Sequence, residues 1–342
     1  MLPLSELTRE RLSHFKKIKR AYYSLWILGV AFILSLFSPA IANDKPIILW
    51  HHGDLYFPLV KFYSAETFGG KYKTEANYLK LKQDPNFSGG MIMPPIPHNP
   101  IHAYLDLEGT PPHRPSLKHW LGTDTGARDV LSRLLHGFRN CMLFSITITV
   151  LGAICGIIIG GFQGYSGGWV DIVFQRLIEI WSSLPFLYVI ILVGAIYGPG
   201  FFTLIFVFLI FQWIGLSYYM RGEFLKIKNM NLIRSARALG MSHRRIFLKH
   251  ILPNALTPVI TIIPFSLIGG ISLLTSLDFL GFGLPPPTPS WGELLDQGLK
   301  NLHSPWIAIS TIAALMVTLL LATFIGEGVR EVMDPKSGSR FE

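Results

Sequence analysis

Six long apolar runs, separated by polar and charged segments, set the pattern of this chain. They cover residues 21–42, 141–164, 172–197, 201–220, 256–277 and 305–326. Each has about the 20 residues that an α-helix needs to cross the hydrocarbon core of a bilayer. The pattern predicts an all-α integral membrane protein with six transmembrane helices. Between the runs lie a polar start at 1–20, a long insertion at 43–140, a basic stretch at 221–255, a Gly- and Pro-rich loop at 278–304 and a charged tail at 327–342. The insertion should end in an amphipathic helix, leaving a five-helix core at 141–326.

Some runs carry further pattern. Gly152, Gly156, Gly160, Gly164 and Gly168 recur every four residues. Such a stripe lets helix backbones approach closely in lipid, so it predicts a packed interface with this chain or with a partner. Arg176 and Glu179 stand three apart near the start of the third run, on one helix face. They read as a structural ion pair; the alternative is a place on a transport pathway, since an intramembrane carboxylate is a functional suspect. Pro185 lies inside the third run, and Pro258 and Pro264 are expected to kink the fifth. The first run ends in Ala40-Ile41-Ala42, which imitates a signal-peptidase site. The run is longer than a usual signal core, so an uncleaved anchor is expected.

The stretch from 229 to 254 reads as a basic, amphipathic elbow. Arg234, Arg237, Arg244, Arg245 and Lys249 supply charge. Ala236, Leu239, Ile246, Phe247, Ile251 and Leu252 supply an apolar stripe at helical spacing. Gly240 is placed to end one short helix, Ser242 to cap a second, and Pro253 to end that second helix.

Charge fixes an orientation. Half of the residues are hydrophobic and the net charge is +9. A basic chain is compatible with nucleic-acid binding. Here six of the 30 Lys and Arg lie in 1–20 and eight in 221–255, which is the excess expected of cytoplasmic segments. No nucleic-acid partner is therefore expected. Both ends should be cytoplasmic, the elbow cytoplasmic, and the insertion and the loop at 278–304 on the opposite side, the periplasmic one if the membrane is a bacterial inner membrane. The two cysteines, Cys141 and Cys155, are fourteen residues apart on one helix and too distant to bridge. His51-His52 and His98…His102 raise the question of a metal. Pro97 and Pro100 forbid the regular helix that would align the second pair, so these read as loop histidines and no metal is expected.

Three strings carry a resemblance. In the elbow, Arg234-Ser235-Ala236-Arg237-Ala238-Leu239-Gly240 is followed by nine residues and then His250-Ile251-Leu252-Pro253. This resembles the cytoplasmic coupling loop of bacterial ABC-importer permeases, which docks into a cleft on a separate ATPase. The family usually has Glu-Ala-Ala where this chain has Arg234-Ser235-Ala236. An amphipathic helix resting on head groups is the alternative, but it needs neither the Gly nor the Leu-Pro spacing. The second string is Gly122-Thr123-Asp124, then Arg128-Asp129-Val130-Leu131-Ser132-Arg133. Read locally, Asp124 caps a helix and Asp129 sits in its first turn. The string is similar to a signature of peptide and nickel importer permeases, with Ala127 in place of a second Gly. The third is Asp278-Phe279-Leu280-Gly281-Phe282-Gly283, then Pro285–Pro289 and Ser290-Trp291-Gly292. Its Gly and Pro density suits no regular element, and a Trp-anchored interfacial loop is the plain account. It closely resembles a segment of the same permeases, specifically their C-type subunit.

The resemblance implies a type I ABC-importer permease fold with a long periplasmic insertion after the first helix. It implies a permease subunit for peptides, with nickel or another small solute as the alternative. The insertion, with Leu55-Tyr56-Phe57-Pro58-Leu59 and Thr67-Phe68-Gly69-Gly70, looks like the subgroup that imports peptides and microcin C. The implied partners are a second permease subunit, ATPase subunits and a periplasmic peptide-binding protein. No Gly-x4-Gly-Lys-Ser/Thr loop occurs, so ATP and Mg are expected on the ATPases and no catalytic residue here. A membrane-embedded protease or transferase would need a motif such as His-Glu-x-x-His, which is absent. An ion-driven transporter would need ionisable residues near mid-membrane, and only Glu179 approaches that.

Overall fold

The computed structural model describes residues 6–85 and 87–334. Residues 1–5 and 335–342, parts of the expected N-terminal segment and tail, lie outside the described residues. In chain order the helices and strands are α1 Glu6–Lys17, α2 Lys19–Leu36, α3 Ser38–Ile41, β1 Ile48–His51, β2 Asp54–Tyr56, α4 Tyr78–Gln83 and β3 Gly89–Ile92. Then follow α5 Val130–Ser166, α6 Gly168–Ser182, α7 Phe186–Tyr197, α8 Phe201–Lys228, α9 Asn231–Ala238 and α10 His243–Ile246. The last are α11 Leu252–Phe279, α12 Trp291–Lys300 and α13 Pro305–Met333. Four helices are long and apolar enough to cross a membrane: α5, α8, the run His243–Phe279 and α13. Two bent pairs meet the same measure together, Arg9–Lys17 with Lys19–Leu36 at 95° and α6 with α7 at 72°.

Several elements differ from the sequence reading. The amphipathic helix expected at the end of the insertion and the second apolar run are one helix, α5, of 37 residues. No proline interrupts Val130–Ser166, so nothing forces a break between them. The third run is not one straight helix. Pro185 lacks an N–H, and the chain ends α6 at Ser182 and restarts at Phe186. Arg176 and Glu179 do pair, at 2.6 Å. Pro253 does not end the elbow's second helix. A π-turn over Phe247–Ile251 leads straight into α11, and Pro253, which lacks an N–H, is taken up just after this wider turn without ending the run. The all-α expectation fails in the insertion, and the loop at 278–304 contains α12.

The chain divides into two compact units. The first comprises the chain up to Gly29, Cys141–Pro285 and everything from Met316 on. Its organising contact is the glycine stripe of α5 against α8. A Cβ added at Gly156 would lie 3.0 Å from Trp213 O, and one at Gly164 2.6 Å from Arg221 O. Both are too close for a side chain, so the stripe's partner is this same chain. Gly168 leaves the stripe to start α6 at φ +54°. Beyond it, Asp171 receives a two-pronged ion pair from Arg221 of α8, at 2.5 and 2.7 Å.

The second unit comprises Val30–Asn140 and Pro286–Leu315. A three-stranded antiparallel sheet, ordered β2-β1-β3, forms within the insertion. Leu49 of β1 is fully buried and packs with Phe68, Ala76 and Tyr78. Gly90 stands opposite Trp50 in register, and a Cβ there would strike the indole. The glycine thus makes room for the large cross-strand ring.

Candidate functional sites: the basic elbow and a buried charge cluster

The elbow lies in the first unit, where its inward face is built on α8 and α11. Ile233, Ala236, Ile246 and Ile251 are buried in one cluster with Met220, Phe224, Ile227, Ala255 and Val259. The short helix α9 ends in a Schellman motif. Gly240 N–H donates to Arg237 O at 2.9 Å and Met241 N–H to Ala236 O at 3.1 Å. Gly240 has φ +78°, the left-handed conformation that glycine adopts without strain. Met241 packs on the buried cluster, the apolar contact that accompanies this cap. Leu239 departs from the expected stripe. It sits past the helix end, off the face set by Ile233 and Ala236, and is 82% exposed.

The outward face is therefore both apolar and basic. Leu232, Arg234, Ser235, Arg237, Ala238, Leu239, Arg244, Arg245 and Lys249 are all exposed. None of its four arginines forms an ion pair among the described residues. His250 and Leu252 are half-buried and Pro253 is exposed. One tie was not foreseen. Tyr165, at the end of α5, meets His243 Nδ1 of α10 through its hydroxyl at 2.8 Å. Lys228 of α8 donates to Tyr165 O at 2.5 Å, a cation on the carbonyl end of α5 where the helix dipole favours it. The ends of three elements thus converge beside the elbow.

The second string falls in the other unit and is largely buried. Asp124 does not cap α5. Its Oδ1 accepts the backbone N–H groups of Gly126 and Arg128, both at 2.9 Å, and so shapes the turn before the helix. Asp129 is the cap instead, its Oδ1 accepting Ser132 N–H at 2.7 Å. Asp124 Oδ2 accepts from Arg128 Nε at 2.8 Å, and Arg128 Nη2 reaches Glu293 Oε1 at 2.8 Å. Arg133, wholly buried, donates to Glu293 Oε2 at 2.5 Å and to Pro100 O at 3.0 Å. Burial opposes the charge on Arg128, but its bonds to Asp124 and Glu293 outweigh this and hold its pKa above the ordinary value. Gly122 has φ +69° and leaves room for Trp306, whose Nε1 donates to Thr123 O at 3.3 Å.

The second string is therefore joined by charge to Glu293, the residue that follows the third. Trp291 is buried, donates from Nε1 to Leu134 O at 2.9 Å and packs over Gly137. Gly292 beside it is buried as well. Glu293, which closes the ion cluster, was not singled out from sequence. The signal was present: Ser290-x-x-Glu293 is a capping pattern, and Ser290 Oγ accepts Glu293 N–H at 3.1 Å. The other part of the third string, in the first unit, is a helix end. Gly281 at φ +79° and Phe282 close α11 with a second Schellman motif. Asp278 Oδ1 accepts Leu284 N–H at 2.7 Å, and Gly283 lies against Asp278 where no Cβ would fit. Phe279 and Leu280 remain partly exposed.

Residues 152–337 match the family model described as the inner membrane component of binding-protein-dependent transport systems. That is more than half of the chain. The chain belongs to this family. It is 43% identical over 337 residues to the inner membrane ABC transporter permease protein YejE of Escherichia coli, spanning 98% of this chain and 99% of that one. It is 40% identical over 362 residues to the peptidoglycan transport system permease protein YejE of Agrobacterium fabrum, spanning 98% and 95%. With the oligopeptide transport system permease protein OppC of Haemophilus influenzae it shares 36% over 219 residues, 64% of this chain and 70% of that one. The family places the chain among ABC-importer permeases of the inner membrane, a mostly helical fold with at least four apolar helices.

Proposed function

We propose that this chain is one of two membrane subunits through which an ABC importer carries peptides across the inner membrane. The observation that carries the reading is the elbow. Its inward residues are spent on α8 and α11, while its outward face presents exposed leucines and arginines without an ion pair among the described residues. The partner of that face is an ATPase subunit, with ATP and Mg bound there. A second permease subunit and a periplasmic peptide-binding protein complete the assembly. The names of the relatives, peptidoglycan and oligopeptide transport permeases, support peptide-bearing substrates over nickel. Peptide conjugates of the microcin C kind fall in the same class.

In this reading six spans cross the membrane: α2, α5, the broken pair α6 and α7, α8, α10 with α11, and α13. Both chain ends and the elbow are cytoplasmic, and the insertion is periplasmic. Closure of the ATPases on ATP pushes the elbow, and its buried cluster passes the push to α8 and α11. Reconstituted alone in liposomes, the chain should neither hydrolyse ATP nor take up peptide. With ATPases, second permease and binding protein it should do both. Uptake of peptide by the isolated chain would overturn the reading.

A further inference from the structure

We propose that His98, His119 and Asp129 form a site for one divalent transition-metal ion of the zinc class. One potential ligand atom from each lies within 4.8 Å of the others. His119 and Asp129 are buried, and His98 keeps 9% of its surface exposed. His98 Nε2 lies 2.7 Å from Lys118 O. A carbonyl only accepts, so the ring proton sits on Nε2 and the lone pair is left on Nδ1. That nitrogen is buried and has no hydrogen-bond partner among the described residues. An unsatisfied buried acceptor is costly, and a metal ion would satisfy it. The His119 ring stacks on that of His98 at 4.2 Å, and its Nδ1 lies 2.8 Å from Asp129 Oδ2.

Carbonyl support behind a ligating imidazole is the usual second layer of a metal centre. Two imidazoles and a carboxylate suit zinc, whereas calcium and magnesium take oxygen donors. With Zn–N and Zn–O bonds of about 2.0–2.2 Å, the imidazole of His98 draws in while the His119–Asp129 hydrogen bond opens and the ion takes the place of its proton, which is released. A cavity of about 700 Å³ opens on all three residues and supplies both a route and room for a water in the fourth position. His102 is not part of the set; it pairs with Asp44 at 3.5 Å. The ion would tie the segments around His98 and His119 to the start of α5.

The test uses the full chain in its detergent-solubilised complex, stripped by chelator and titrated with Zn²⁺ alone. Metal content is read by mass spectrometry and Co²⁺ substitution by its visible absorption. A single ion per chain is expected, retained in His102→Ala. In His98→Ala affinity should fall by more than the ~10–100-fold lost when only a supporting residue is removed. Thermal unfolding guards against misfolding: stripped His98→Ala should still unfold in one cooperative transition, lower than stripped wild type by the packing and the hydrogen bond it loses, and Zn²⁺ should raise the melting temperature of wild type only. No stoichiometric ion, or equal binding by wild type and His98→Ala, would overturn the proposal.

Discussion

Glu293 holds two arginines, one of them wholly buried, so its charge cannot be removed cheaply. Taking one partner from a buried ion network leaves uncompensated charge and costs about 3–5 kcal/mol. Glu293→Gln should lower the unfolding midpoint of the purified chain and its abundance in membranes, and a variant as stable as wild type would show the cluster to be dispensable. Next to it, Ala127 is fully buried at φ +56°, where the family's pattern has glycine. The strain is of order 1 kcal/mol, so Ala127→Gly should be tolerated while the β-branched Ala127→Val should not. At the elbow, Gly240→Val faces no steric wall but forces a branched residue to φ +78°, at about 1–3 kcal/mol. Transport per ATP hydrolysed, or retention of the ATPase, should fall. Arg234→Glu, which restores the family's usual acid on an exposed position, should be milder. Equal effects of the two would sever the link between the cap and coupling.

At the scale of elements, Tyr165 offers a cleaner probe. Tyr165→Phe removes the hydroxyl bonded to His243 but keeps the carbonyl that receives Lys228. The lost bond is worth about 0.5–1.5 kcal/mol, too little to unfold the chain. Transport per ATP should fall while ATPase binding stays, and an unchanged ratio would confine Tyr165 to packing. The elements also show what the sequence could and could not disclose. The elbow's first short helix, its stop at Gly240 and the pairing of Arg176 with Glu179 follow from spacing and local chemistry, which act over a few residues, whereas Ser242 stands at the start of the second short helix without a side-chain cap bond. The join of an amphipathic start to a membrane run in α5 was missed because a change of composition is not a break; only a residue such as Pro185 forces one. Asp129 took the cap expected of Asp124 because both spacings allow one, and Asp124 is claimed by its own turn and by Arg128 and Arg133. Leu239 counted as stripe because helical spacing takes no notice of where the helix ends.

At the scale of the molecule, the membrane-embedded character was legible because six runs of about 20 apolar residues leave few alternatives. The insertion was not. Its strands are three or four residues long, too short for alternation to register, and its sheet pairs residues some 40 apart. Its side of the membrane is open to direct test. A cysteine at the exposed Ser88 should react with an impermeant thiol reagent in intact spheroplasts, over a background set by Cys141 and Cys155. Labelling only after permeabilisation would reverse the orientation.

The elbow's two faces answer to different masters. Ile233, Ala236, Ile246 and Ile251 are held to shape by helices of their own chain, whereas Leu232, Arg234, Arg237 and Leu239 are exposed, and neither arginine has an ion pair among the described residues. The outer set is thus free to act as an address. If the proposed docking holds, transplanting only those side chains from a related permease should leave the scaffold intact and redirect the chain to that permease's ATPase, so that a few surface codons would set the partner while the channel stays as it is.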